Sequence, residues 1–134
     1  MKRVLILDND PGVLDVMQEA LSYEGFDVVG VEEANNLDAL IADYQPHLLM
    51  MDFALNGTDG GKLCQQLKTN AKTSRLPIII ISAYSNKGFV PGSYGCNDFI
   101  TKPFDLYDLI ARIKVLVGQV IEKPMGFGER PDAM

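Results

Sequence analysis

Tryptophan is absent from this 134-residue chain, and histidine occurs once, at position 47. One imidazole cannot assemble a histidine metal cluster, so His47, standing just ahead of an apolar run, reads as structural. Cysteine is almost as scarce: Cys64 and Cys96 lack CxxC spacing. Met1-Lys2-Arg3-Val4 opens no signal-peptide pattern, so reduced thiols in a cytoplasmic protein are expected. Positive charge is in deficit, with 12 Lys and Arg against 18 Asp and Glu, net −6. The basic footprint that nucleic-acid phosphates require is missing, and no nucleic-acid partner is expected. No apolar run approaches the roughly 18 residues of a membrane span, so no membrane partner is expected either. Internal repeats and low-complexity segments are also lacking.

The composition that remains, 47% hydrophobic and 22% charged, is that of one globular domain of ordinary size. Four short apolar runs have the β-branched content of strands buried on both faces: Val4–Leu7, Val28–Val31, Leu48–Met51 and Ile78–Ile81. A weaker fifth is Asp98–Thr101. Continuous rather than alternating hydrophobicity is what a parallel sheet covered by helices demands.

Helical patterns fill the gaps. Asp10-Pro11 offers an N-cap acid with Pro at the first helical position. Val13, Met17, Ala20 and Leu21 follow at helical spacing, and Gly25 stands where a C′ residue belongs. Leu37–Tyr44 and Asp59–Thr69 give two more helices. A last one begins after Asp105, with a stripe of Leu106, Leu109, Ile110, Ile113, Val117 and Val120. Between Ala83 and Gly95, "YSNKGFVPGSY" is breaker chemistry, which predicts a loop or one short turn in place of a helix. "EKPMGFGERPDAM" has no periodicity and reads as a mobile tail. We therefore expect one domain over residues 1–121 and a flexible tail over 122–134.

Strands alternating with crossovers make an open α/β sheet, and such sheets bind ligands beyond the carboxyl ends of their strands. The residues there are Asp8, Asn9 and Asp10 after the first strand, Asp52 after the third, Ser82 and Ala83 after the fourth, and Lys102-Pro103 after the fifth. Singly, each has a plain reading: a helix cap, a strand end before the Asn56-Gly57 turn, a surface lysine. Four such residues at four strand ends on one rim are harder to dismiss. Two carboxylates about 4 Å apart repel by roughly 4 kcal/mol at an effective dielectric of 20. A hard divalent cation with oxygen ligands, Mg²⁺, removes that cost. A carboxylate beside such an ion, a hydroxyl and a lysine has the surroundings of a nucleophile towards phosphorus.

At these motifs the sequence resembles the receiver domain of two-component response regulators, the family that includes the stand-alone chemotaxis regulator. The likeness covers about residues 2–120 and rests on "VLILDNDP", "PHLLMMDFALNGTDGGKL", "LPIIIISA" and "DFITKPFD". It implies a flavodoxin-like three-layer sandwich with strand order 2-1-3-4-5, its fourth helix degenerate here. It implies that Asp52 is the phosphoacceptor and that Asp8, Asn9, Asp52 and the backbone carbonyl of Ala54 hold Mg²⁺. Ser82 and Lys102 would attend the phosphoryl group, Phe99 would be the switch aromatic, and Pro103 would follow a cis peptide bond. Ala54 and Tyr84 occupy the two positions that tune phosphoryl lifetime. The donor would be a histidine kinase or a phosphotransfer protein, and the output a non-covalent protein partner. The chain would be no enzyme beyond its own phosphorylation and dephosphorylation.

Besides Ala54 and Tyr84, a small apolar residue and an aromatic that would hinder an attacking water and favour a long-lived phosphoryl group, two departures from the family pattern bear on function. Asn9 replaces the usual second acid, so an amide oxygen coordinates without bringing charge, and Mg²⁺ affinity should fall. The fourth crossover lacks helical pattern, which would remodel the usual output face. Two readings follow. The first is a single-domain, phosphorylation-dependent response regulator with a weakened Mg²⁺ site. The second is a pseudo-receiver that binds its partner with little or no phosphorylation. Dimerisation through the last helix stays open.

Overall fold

A computed structural model describes residues 1–33, 35–55, 58–83 and 95–118. The elements run β1 (Arg3–Leu7), α1 (Pro11–Tyr23), β2 (Asp27–Val31), α2 (Leu37–Tyr44), β3 (Leu48–Asp52), β4 (Ala54–Leu55), β5 (Thr58–Asp59), α3 (Gly60–Thr69), β6 (Ile78–Ser82), β7 (Asp98–Thr101) and α4 (Leu106–Leu116). The five long strands form one parallel sheet in the order β2-β1-β3-β6-β7. Counting those strands alone, this is the expected 2-1-3-4-5 order. The antiparallel pairing of β4 with β5 was not anticipated, because two residues on either side of Asn56-Gly57 carry no hydrophobic pattern. Most strands reach one residue further than their apolar runs. Arg3, Asp27, Asp52 and Ser82 are polar yet still belong to the ladder.

Continuous hydrophobicity is explained by two separate cores. Alternate strand residues Val4, Ile6, Leu48, Met50, Ile79 and Ile81 pack with α1 and α4. Their neighbours Leu5, Leu7, Leu49, Met51, Ile78 and Ile80 pack with α2 and α3. Every central strand residue therefore meets apolar surface whichever way it points.

Asp10 and Asp105 cap their helices as expected, and Asp59, read from the sequence as the first residue of its helix, is a cap as well. Asp10 Oδ1 accepts from the Gly12 and Val13 amides at 2.9 and 3.4 Å. Asp59 Oδ1 accepts from Gly61 and Lys62, and Asp105 Oδ1 from Tyr107. Such caps satisfy amides that have no partner inside the helix. In α1 the buried residues are Leu14, Met17 and Leu21, while Val13 sits only partly buried at the edge of the core. Gly25 follows at φ +91°, the left-handed geometry expected at C′. The segment 84–94, Val120 and the tail 122–134 lie outside the described residues.

Candidate functional site

The carboxyl ends of β1, β3, β6 and β7 lie side by side because the strands are parallel and in register. Asp52 pairs with Ile81 and Ser82 with Thr101, so Ser82 sits one residue beyond the first pair and Lys102 one beyond the second. The Lys102 amide donates to the Ser82 carbonyl at 2.7 Å, which ties the lysine turn to the neighbouring strand end. The Lys102–Pro103 peptide bond is cis.

Two carboxylates share this rim in matching postures. Asp8 Oδ1 accepts from the amide of Asp10 at 2.9 Å, and Asp52 Oδ1 accepts from the amide of Ala54 at 3.0 Å. In each case a backbone N–H two residues onward fixes one oxygen and turns the other to the centre. There Lys102 Nζ meets both, at 3.0 Å from Asp52 Oδ2 and 3.5 Å from Asp8 Oδ2. Asp8 is 3% exposed, Asp52 7% and Ser82 2%. These polar groups stand on the wall of the core, where an uncompensated charge is costly.

Burial pushes the Asp8 carboxyl above its ordinary value, assisted by the charge of Asp52; the Asp10 amide and Lys102 oppose this without reversing it. Burial pulls the Lys102 ammonium down, but its bond to Asp52 and the charges of both carboxylates override that and hold it above the ordinary lysine value. One ammonium thus serves two acids, and one negative charge is left over.

The donor set suits a hard divalent cation: two carboxylates, the Asn9 side chain immediately after Asp8, and the backbone carbonyl of Ala54, an exposed residue two positions after Asp52. Among the described residues no three His, Cys, Asp or Glu side chains form a metal-holding group, so any such ion depends on these neutral oxygens or on water. Asp10 is committed to capping α1. Phe99 lies on β7 opposite Ile80, half-buried against the α2–α3 core. Tyr84 lies outside the described residues.

Two positioning residues escaped the sequence reading. A Cβ at Gly60 would stand 2.4 Å from the Asp52 carbonyl oxygen and 2.9 Å from Phe53 Cα. The Gly60 amide donates to Phe53 O at 2.8 Å. The start of α3 therefore lies directly against the backbone that presents Asp52. The only sequence signal is a glycine in a first helical turn. Asn97 is the other: its Oδ1 accepts from the Ile78 amide and from Lys68 Nζ, joining β6, α3 and the entrance to β7. Nothing local marks it.

The family model for the response regulator receiver domain matches residues 4–114. The DNA-binding dual master transcriptional regulator RpaA of Synechocystis is 33% identical over 122 residues, covering 87% of this chain and 49% of its own. The chain spans about half the length of the curated relatives it matches. The BeF3-activated N-terminal receiver domain of Klebsiella pneumoniae RstA superposes with TM-score 0.79 at 24% identity, over 88% of this chain and all of its own. The response regulator TrrA of Thermotoga maritima, in complex with Mg²⁺-BeF, gives 0.76 at 23%, covering 87% and 99%. At these identities the two structures show likeness of fold.

Proposed function

This chain belongs to the receiver-domain family of two-component response regulators, whose members are phosphoacceptor signalling domains, and on that footing we propose that Asp52 accepts a phosphoryl group from a histidine kinase or a phosphotransfer protein. The observation that carries this reading is the ammonium of Lys102, held between the buried carboxylates of Asp52 and Asp8. An Asp52 oxygen approaches phosphorus opposite the P–N bond of a phosphohistidine. The new P–O bond forms as P–N breaks, and the imidazole leaves with the electron pair and takes up a proton. Lys102 and the Ser82 hydroxyl stand at strand ends from which they meet charge on the equatorial oxygens. Asp8, Asp52, the Asn9 amide oxygen and the Ala54 carbonyl are the residues that would hold Mg²⁺, which supplies further neutralisation of those oxygens. Phe99 is the side chain that answers the change, and Ala54 with Tyr84 limits the access of water to the phosphoryl group. The receiver unit, residues 1–121, works in the cytoplasm and signals by phosphorylation-dependent protein–protein contact.

The test is intact mass after incubation with a small phosphodonor and Mg²⁺. One added PO3H group is expected in the native sequence and none in Asp52→Ala; an unmodified native chain at millimolar Mg²⁺ would overturn the reading.

Asn9 supports a second reading, a pseudo-receiver that binds its partner without phosphorylation. If the missing charge is the weak point, Asn9→Asp tightens Mg²⁺ binding by about tenfold, near 1.4 kcal/mol. Calorimetric titration of the two proteins decides it: equal affinities would mean that position 9 is not part of the metal site.

A further inference from the structure

We propose that the cavity at the end of the sheet remote from Asp52 binds a small organic anion, an apolar ring or chain carrying one carboxylate, phosphate or sulfonate. The cavity measures about 840 Å³ and lies between the C-terminal end of α2, the approach to β3 and the connection from α3 to β6. That size falls within the roughly 300–1,000 Å³ typical of small-molecule sites. Ile41, Leu76 and Pro77 give it an apolar wall.

Its charge is what specifies the ligand. Lys72 and Arg75 line the cavity, and among the described residues neither side chain has an ion pair or hydrogen bond. Two other cations at this end are committed. Lys68 Nζ donates to Leu76 O and Asn97 Oδ1, and Arg3 Nε donates to Gln45 O. Asp38 is the single carboxylate of the lining, so two cations face one acid in a chain of net charge −6.

His47 adds a hydrogen-bond donor to the lining. Its Nδ1 accepts from the Arg3 amide at 2.9 Å, so the neutral ring carries its proton on Nε2. Burial, together with the charges of Arg3, Lys2 and the amino terminus, holds the imidazole below its usual value, and it donates without adding charge. The cavity is separate from the Asp52 rim. His47 precedes β3 and Asp52 ends it, five strand residues or about 16 Å away. The inference is therefore independent of phosphorylation.

A concave site with an apolar wall and a cationic lip fits 1-anilinonaphthalene-8-sulfonate, which serves as the probe. Titrating the folded chain at low salt and following amide chemical shifts should give saturable one-to-one changes centred on Ile41, His47, Thr73 and Leu76. Lys72→Glu/Arg75→Glu, both at exposed positions, should weaken binding at least about tenfold, as reversal of charges facing an anion does. If charge reversal disturbs the fold, Lys72→Gln/Arg75→Gln replaces it, with a smaller weakening expected. Uncharged 1-anilinonaphthalene should also bind at least about tenfold more weakly. Shifts centred elsewhere, unchanged affinity in the variants, or equal affinity for the uncharged compound would overturn the proposal. So would tighter binding of acetyl-Glu-Asp-Glu-Leu amide at the same residues, which would assign the cavity to a protein partner.

Discussion

Asp8 illustrates how one residue's environment sets its behaviour. Its carboxyl is held above the ordinary value chiefly by burial. A group whose folded value is raised contributes stability below its unfolded value and loses it as pH rises through the folded one. At neutral pH, without metal, the ionised Asp8 is therefore a net cost. Asp8→Asn keeps an oxygen for the Asp10 amide and leaves Lys102 paired with Asp52. In EDTA at pH 7 the variant should melt above the native sequence, and the gap should close below about pH 4, where the native carboxyl is protonated in both states. Thermal melts across pH test this, and Mg²⁺ should stabilise the native chain more than the variant.

At the scale of elements, Gly60 shows where local reading stops. An alanine there would set its methyl 2.4 Å from the Asp52 carbonyl oxygen, a backbone atom that cannot simply turn aside. Either α3 retreats or the strand end bends. Gly60→Ala should lower stability by about 1–3 kcal/mol and slow phosphorylation of Asp52 more than the modest stability loss explains. Urea unfolding and the rate of mass gain separate the two effects; normal phosphorylation in a folded variant would remove Gly60 from the positioning role. The strands were legible because doubly buried strands read as apolar runs, and α1 and α4 because their caps are local. The convergence of the strand ends followed from the topology. The β4–β5 pairing, the Gly60 contact and the Asn97 junction were not legible, because each depends on a partner far along the chain or on a pattern too short to see.

For the whole molecule, the two cores are built from the same strands. Ile79 faces the α1–α4 core and Ile80 the α2–α3 core, and both are fully buried. Alanine at either position should cost about 2–5 kcal/mol. Both variants should lower one common unfolding transition, since neither core can survive loss of the sheet. Urea denaturation followed by far-ultraviolet dichroism and by tyrosine fluorescence checks this; Tyr44, packed against the α2–α3 core, reports from that layer. A split transition in either variant would show that the layers unfold separately.

The single negative charge left by Asp8, Asp52 and Lys102 has a consequence in terms of dose. A third acid on the rim would bring one more charge to a bound cation and lower the concentration needed to half-fill the site. On the proposed reading, a neutral amide at position 9 should raise the Mg²⁺ concentration that half-fills the site. Phosphoryl acceptance by this chain should then rise and fall with the magnesium around it, so that one protein reports two quantities, the state of its donor and the abundance of an ion.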